Sequence, residues 1–254
     1  MKFTILVTTL LFVFCVSAAY SLDTSGMVLY LSFDEGSGAV ANDSSGMDND
    51  GAVMGNVEWI DGMKGKAVKI LDDAADNMVL IADDDSLDFT NAMSYGGWVN
   101  IEALPDGSCS FITKADTYMI HASDWSGLGI EVEPLLWPFD AWQTAISSPI
   151  PFGEWHHVVG TFSDGILKAY VDGVLIGERE FAADIDVTEN DLVIGRDSRE
   201  CCFERIQLIS ADEVFVFNRA ISEDDVNDLM AGNVSAVSPT GRLSTLWGEI
   251  KAEK

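Results

Sequence analysis

The chain contains the stretch Ile166-Leu-Lys-Ala-Tyr-Val-Asp-Gly-Val-Leu-Ile-Gly177, which predicts a β-hairpin. Asp172 and Gly173 form the predicted turn, because a two-residue hairpin turn needs positive φ angles that these residue types adopt most readily. The arm before the turn alternates as a half-buried strand does, with one set of side chains on each face: Leu167, Ala169 and Val171 against Lys168 and Tyr170. Two antiparallel strands are therefore expected here.

Similar strand-like runs recur along the chain, each bounded by Gly, Asp, Asn or Ser. They are Met27 to Phe33, Ala67 to Leu71, Met78 to Ala82, Tyr95 to Ile101, Ser110 to Lys114, Tyr118 to Ala122, Gly127 to Glu133, Gln143 to Ser147, His156 to Phe162, Leu192 to Gly195 and Asp212 to Phe217. Such a series predicts an all-β fold, a two-sheet antiparallel sandwich. A helical signal follows at Ser222 to Met230, where Ser222 is the expected N-cap of a short C-terminal helix.

The first residues are typical of a secretory signal peptide. Lys2 precedes an apolar run from Ile5 to Val16, and small residues follow at positions 17–19. We expect a signal peptide at 1–19, a single domain at 20–231, and a linker with a short tail at 232–254. The apolar run is too short to span a bilayer, so the mature chain is not expected to insert into a membrane.

The charge of the chain limits its partners. It has 42 acidic and 14 basic residues, and a formal net charge of −28. Nucleic acid and anionic membranes are disfavoured as partners, because contacts with phosphate need clustered Lys and Arg. The carboxylates favour cation binding or simply solubility.

Three cysteines remain after the predicted cleavage, in a compartment that allows disulfides. They are Cys109, Cys201 and Cys202. An odd number leaves one thiol over. One bridge from Cys109 to either of the adjacent pair is possible, and the sequence does not choose between them.

Several motifs together resemble the laminin-G-like or concanavalin A-like jelly roll, in the bacterial extracellular form related to pentraxins. They are Leu29-Tyr-Leu-Ser-Phe-Asp-Glu-Gly-Ser-Gly38, Asp43-Ser-Ser-Gly46, Gly65-Lys-Ala-Val68, Gly97-Trp-Val99, Gly153-Glu-Trp-His-His-Val-Val-Gly-Thr-Phe162 and Asp212-Glu-Val-Phe-Val-Phe-Asn-Arg-Ala-Ile-Ser-Glu-Asp-Asp-Val226. The resemblance runs from about residue 27 to residue 231. It implies two curved antiparallel sheets packed face to face, in mostly non-catalytic modules that bind glycans or proteins.

Domains of this kind often hold a calcium ion near the two ends of the chain. The resemblance implies that Asp34, at the end of the first strand, and Asp212, in the last strand, are calcium ligands, with Asp43 as a third. Carboxylates are the hard oxygen ligands that calcium prefers. The alternative is that these Asp side chains make turns with their own backbone.

An aromatic region offers a binding surface. Trp125, Trp137 and Trp142 lie in or beside predicted connections, with several prolines between them. Aromatic rings stack on the apolar C–H faces of sugars, so we expect these residues to bind a glycan. A protein partner would use the same residue types, and the alternative for each ring is that it caps the core.

An enzyme reading is disfavoured. The stretch Asp184-Ile-Asp-Val-Thr-Glu189 superficially matches the carboxylate spacing of retaining glucanases, but it falls where a connecting loop is expected. His156 and His157 point to opposite faces of a strand and do not hold one ion together. We therefore predict a secreted, calcium-stabilised, non-catalytic glycan-binding module. The alternatives are a protein-binding or adhesion module and a diverged polysaccharide-cleaving glycoside hydrolase.

Overall fold

The computed structural model describes residues 22–71, 74, 76–124, 130–137, 143–144, 148–180, 184–199, 202 and 207–234. Within these residues the strands are Met27–Leu31 (β1), Val40–Ala41 (β2), Gly51–Met54 (β3), Val57–Asp61 (β4), Lys66–Ile70 (β5), Met78–Ile81 (β6), Ala92–Ala103 (β7), Ser108–Lys114 (β8), Tyr118–Ser123 (β9), Ile130–Leu136 (β10), Gln143–Thr144 (β11), Ser148–Ile150 (β12), Trp155–Ser163 (β13), Ile166–Val171 (β14), Val174–Glu180 (β15), Leu192–Ile194 (β16) and Leu208–Phe217 (β17). A 3₁₀ turn covers Asp85–Leu87, and the helix α1 covers Glu223–Ala231.

The strands form two antiparallel sheets. Sheet A has the order β15-β14-β13-β7-β17-β5-β4, with β1 also paired to β17. Sheet B has the order β11-β10-β9-β8-β16-β6-β3-β2, with β12 also paired to β10. The predicted all-β sandwich with one short helix near the C-terminal end is confirmed.

The hairpin quoted above forms as predicted, between β14 and β15. Val171 lies opposite Val174, and the turn residues Asp172 and Gly173 have φ angles of 51° and 78°. Leu167 and Val171 point into the main core, whereas Tyr170 packs on the other face of the sheet. The alternation in the sequence therefore identified the two faces correctly.

The ends of the domain meet at β17. Leu31 of β1 lies opposite Val214, and Ile70 of β5 lies opposite Ile209, so β17 pairs with β1 and β5 along one side and with β7 along the other. The main core between the sheets includes several fully buried large side chains: Phe33, Tyr95, Phe111, Tyr118 and Phe162. Each such side chain contributes roughly 1.5–3 kcal/mol on burial.

Helix α1 covers part of the outer face of sheet A. Ser222 is the N-cap, and its reciprocal hydrogen bonds with Asp225 make a capping box. Gly232 ends the helix in the left-handed conformation. Val226 and Leu229 pack with Phe215 and other residues of the sheet. The predicted N-cap is confirmed.

The prediction of a bridge from Cys109 is wrong. Cys109 is a free thiol that is 1% exposed, and it belongs to the core between the sheets. It lies opposite Ala122 on the neighbouring strand, so it packs as a small apolar side chain. Burial raises the pKa of this thiol. Cys201 lies outside the described residues.

The predicted signal peptide and C-terminal tail also stay predictions. Residues 1–21 and 235–254 lie outside the described part of the chain. Within the described residues, no helix has the length and apolar character needed to cross a bilayer.

Two glycines with the same backbone conformation allow the contact between the hairpin and the helix to be measured. Gly153 and Gly173 have φ angles of 76° and 78°. A Cβ at Gly153 meets no atom within 4 Å, whereas one at Gly173 would lie 2.3 Å from Oδ1 of Asn227 on α1. We expect Gly153→Ala to lower the free energy of unfolding by about 1–2 kcal/mol, the cost of left-handed backbone, and Gly173→Ala to lower it further.

Urea unfolding of the two variants and the wild-type chain tests this expectation. Equal losses in Gly153→Ala and Gly173→Ala would show that α1 does not constrain the hairpin.

Candidate functional site

The predicted site residues fall in two regions of the fold. Asp34, Asp43 and Asp212 lie around the place where β1 meets β17, here called the acidic junction. Trp137 follows β10 on sheet B. Trp125 and Trp142 lie outside the described residues.

At the acidic junction, Asp34 and Asp212 bind the same turn, between β4 and β5. Oδ1 of Asp34 accepts a hydrogen bond of 2.9 Å from the backbone N–H of Lys66. Oδ2 of Asp212 accepts one of 2.9 Å from the backbone N–H of Lys64. A Cβ at Gly65 would overlap Asp34, so glycine is needed for this close approach. The structure therefore brings two of the three predicted ligands to one turn.

The third carboxylate, Asp43, is fully engaged by its own loop. Oδ1 accepts hydrogen bonds of 2.9 Å from the N–H groups of Tyr30 and Ser45. Oδ2 accepts from the Ser45 hydroxyl at 2.7 Å and from the N–H of Asn49 at 3.1 Å. Asp43 therefore ties its loop to β1, as the alternative of a local side-chain turn predicts.

Asp212 is the most perturbed carboxyl of the junction. Its side chain is 0% exposed, and Oδ1 has no hydrogen-bond partner. Burial raises the pKa of Asp212 to about 7; the hydrogen bond from Lys64 opposes the rise, and the neighbouring Glu213 adds to it. Burial also raises the pKa of Glu213, whose carboxylate accepts a hydrogen bond from the hydroxyl of Tyr30. The fold thus concentrates acidic groups where little water reaches them.

The described carboxylates of the junction do not by themselves make up a full calcium ligand set. Calcium takes six to eight oxygen ligands, usually including several carboxylates. Within the described residues, no group of three or more His, Cys, Asp or Glu is placed to hold a metal ion, and the oxygens of Asp43 already accept four hydrogen bonds. The calcium site at Asp34, Asp43 and Asp212 stays a prediction, and no step proposed below passes through calcium.

A second polar region lies on the face of sheet B that points away from the core. Ser110, His121 and Glu133 are directly opposed on the adjacent strands β8, β9 and β10. Their sequence neighbours Cys109, Ala122 and Val132 belong to the core, so these three side chains point outward. Nδ1 of His121 lies 3.1 Å from Oε1 of Glu133. We call this surface the β8–β10 face.

Two hydroxyls on β8 have unused hydrogen-bonding capacity. Oγ of Ser110 and Oγ1 of Thr113 are buried and have no hydrogen-bond partner. The side-chain amide of Gln207 binds the backbone N–H and carbonyl of Ser110, each at 3.1 Å, and holds this part of β8 in place. An unpaired buried hydroxyl costs about 1–3 kcal/mol.

Two carboxylates on β10 were missed by the sequence reasoning. Glu131 and Glu133 are alternate residues of one strand, so both point to the β8–β10 face. A pair of carboxylates on one face of a strand is the arrangement that a retaining glycosidase uses. Alternation in Ile130-Glu-Val-Glu133 was the available signal. The stretch from Asp184 to Glu189, by contrast, forms no strand.

Trp137 lies at the end of the β8–β10 face. It follows Glu133 by four positions, so the alternation of β10 continued to Trp137 places it on the same face. Its N–H donates to the carbonyl of Thr117 at 2.9 Å, and its carbonyl accepts from the N–H of Asp186 at 3.1 Å. Trp137 is half-buried. Two hydrogen bonds therefore fix the backbone of Trp137 just beyond the end of β10.

The tandem histidines behave as expected for a strand. His157 is 1% exposed and packs between Trp98 and Phe215, with ring centroids 5.2 and 6.1 Å away. Burial lowers the pKa of His157 to about 4. Nδ1 of His156 instead lies 2.8 Å from Oδ2 of Asp172. The two rings have different surroundings and do not form one ion site.

The perturbed carboxyl of Asp212 predicts a pH dependence of stability. Its pKa is about 7 in the folded chain against 3.8 for the free group, so the folded chain binds the extra proton between these values. The stability from the protonated form is present below pH 3.8 and is lost as the pH rises through about 7. We expect Asp212→Asn, which stays neutral, to unfold at higher urea than wild type at pH 8, with a smaller difference at pH 5.

Unfolding in the presence of a chelator, at both pH values, measures this effect. Glu180→Gln, which removes an exposed carboxylate, is the control and should change little. A less stable Asp212→Asn at pH 8 would contradict the assignment.

Comparison with known proteins places these features in a family. A profile described as the concanavalin A-like lectin/glucanases superfamily, Laminin_G_3, matches residues 73–227. No curated protein matches the chain significantly in sequence.

Among solved structures, the chain is similar to domain 4 of AbnA, a GH43 extracellular arabinanase from Geobacillus stearothermophilus, in complex with arabinotriose. The TM-score is 0.62 and the identity 22%, over 80% of this chain and 98% of that one. It is also similar to the binding domain of Paraclostridial Mosquitocidal Protein 1, with a TM-score of 0.65 and 15% identity over 82% of this chain. A third similar structure is from botulinum neurotoxin type C, whose entry into cells depends on interaction with two ganglioside molecules; the TM-score is 0.67 and the identity 14% over 84% of this chain.

The chain spans about half the length of the two toxin chains, 52% of each. At these identities the structural likeness shows the fold. The profile match covers more than half of the chain. The protein belongs to the concanavalin A-like lectin/glucanase superfamily, as a laminin-G-like jelly roll.

Proposed function

We propose that this protein is a non-catalytic recognition module that binds a glycan outside the cell through the β8–β10 face. The observation that carries the proposal is the row Ser110, His121 and Glu133, in register on three strands, with Trp137 four residues beyond Glu133 along the chain. A flat aromatic group beside outward polar groups is the combination that sugar rings require.

The side chains of the β8–β10 face are complementary to the groups of a sugar ring. The indole of Trp137 offers an apolar surface for the C–H face of one ring. The carboxylates of Glu131 and Glu133 accept hydrogen bonds from sugar hydroxyls, while the imidazole of His121 both donates and accepts when neutral. Backbone hydrogen bonds hold Trp137 in place, which lowers the entropy cost of binding.

The comparisons support this proposal by analogy. The arabinanase domain is in complex with arabinotriose, the mosquitocidal protein structure is a binding domain, and the neurotoxin structure concerns an interaction with two ganglioside molecules. The location outside the cell is part of the proposal and rests on the predicted signal peptide. A protein partner is the alternative, because an aromatic residue among polar groups also suits protein interfaces.

Substitution of Trp137 tests the glycan proposal. We expect Trp137→Ala to weaken binding to a responsive glycan at least tenfold on a glycan array and by calorimetry, because the stacking surface is lost. Phe152→Ala removes an aromatic side chain that is 44% exposed and lies outside the face. That control should bind like wild type.

The same array with a chelator tests the prediction of calcium. If the glycan is bound by side chains alone, its binding should be unchanged in the presence of the chelator. Absence of binding to every glycan, or equal losses in Trp137→Ala and Phe152→Ala, would contradict the proposed face.

The paired carboxylates of β10 favour a second candidate function, cleavage of a polysaccharide. In a retaining mechanism one carboxylate attacks the sugar and the other protonates the leaving oxygen. Glu131 and Glu133 lie on one strand and one face, as that mechanism needs. The contact of Glu133 with His121 provides a partner that orients this carboxylate.

This second function predicts release of reducing sugar by the wild-type chain and a loss of at least a hundredfold in Glu131→Gln and in Glu133→Gln. The measurement is a reducing-end assay on a panel of arabinans, glucans and xylans. A wild-type chain that binds a glycan but releases no sugar from it would reject cleavage and leave the recognition proposal standing.

A further inference from the structure

A cavity lies on the outer face of sheet A, next to the start of α1. Its volume is about 410 Å³, within the range of small-molecule sites. It is formed by β13, β14 and the segment that leads into the helix. Its lining comprises Thr161, Ser163, Asp164, Ile166, Lys168, Tyr170 and residues 220–223. None of these residues belongs to the β8–β10 face or to the acidic junction.

The floor of the cavity is a buried pair of hydroxyls. Thr161 and Tyr170 are 3% and 4% exposed. Both point to the outer face of sheet A: Thr161 lies opposite Lys168, and Tyr170 lies opposite Val159. Their side chains interact with each other. Each hydroxyl both donates and accepts, so the pair keeps capacity for a hydroxyl of a ligand after bonding to itself.

The rim carries charges that do not neutralise one another. Lys168 lies on β14, and Glu223 lies in the first turn of α1. Within the part of the chain that the structure describes, neither residue forms an ion pair. The ammonium and the carboxylate are therefore available as a donor and an acceptor. Ile166 and Ile221 add a small apolar wall.

We propose that this cavity is a second glycan site, which takes one neutral sugar unit. The hydroxyls, the ammonium and the two carboxylates of the lining can donate to and accept from the hydroxyls of a sugar. The isoleucines can contact the C–H face of the sugar ring. An anionic sugar is disfavoured, because Asp164 and Glu223 outnumber Lys168 and the whole chain carries a charge of −28.

Two sites on opposite sheets have a functional consequence. A module with one site on sheet A and another on sheet B binds two glycan chains at once, or one chain that wraps around its edge. Binding of a multivalent surface is then tighter than binding of either sugar alone.

The test uses the ¹⁵N-labelled full chain, titrated with neutral methyl hexosides and pentosides, a uronic acid and an amino sugar. We expect a neutral glycoside to shift the amides of Thr161, Lys168 and Glu223. Lys168→Met should weaken that glycoside at least tenfold. The control, Arg179→Met, removes an exposed cation from the neighbouring strand β15 and should change its affinity less than twofold.

Glu223→Gln is a mild change at an exposed position in the first turn of α1, and it should also weaken binding. Weaker binding in this variant would not be explained by misfolding. Shifts from the charged sugars alone, or from no sugar at these amides, would overturn the proposal. Shifts confined to the β8–β10 face would overturn it too, while supporting the first site. Loss of glycan binding at the β8–β10 face in Trp137→Ala, with normal shifts around Thr161, would show that the cavity binds its sugar independently of that face.

Discussion

The antiparallel pairing of β17 with β1, β5 and β7 is the constraint on which the rest of the structure depends. It joins the two ends of the domain and places β17 in the middle of sheet A. A bulge follows Asp212, and Glu213 adopts a φ of 52°. This local bend turns two adjacent carboxyl groups toward the β4–β5 turn and Tyr30. The acidic junction is therefore a product of strand pairing as much as of composition.

Each sheet has one face in the core, and the two outer faces are used differently. On sheet A, α1 covers Phe215, Phe217 and Tyr170 with apolar side chains, and a polar cavity remains beside its first turn. On sheet B, the outward residues of the central strands include polar side chains such as Ser110 and His121, which are 0% and 6% exposed. Both proposed glycan sites occupy places where strand side chains on an outer face form cross-strand rows. A jelly roll offers such rows because neighbouring strands hold side chains at a fixed spacing.

Several charges are buried for structural reasons. The side chain of Lys114 is 0% exposed, and its ammonium contacts the carboxylates of Asp83 and Asp88 and the carbonyl of Asn190. A buried cation is tolerated only when it is paired and hydrogen-bonded in this way. Some of the acidic residues therefore pair with a buried cation, and Asp43 accepts hydrogen bonds from the backbone of its own loop. Glu131 and Glu133, by contrast, are partly exposed on the outer face of sheet B.

What the sequence by itself determined was local. The Asp172–Gly173 turn, the alternation along β14 and the Ser222 cap depend on residues close in the chain, so the sandwich and its helix were predictable. The role of Asp43, the thiol of Cys109 and the row of Ser110, His121 and Glu133 were decided only by the tertiary structure. Strand register chooses which distant residues face each other, and a shift of one residue would send every side chain to the other face.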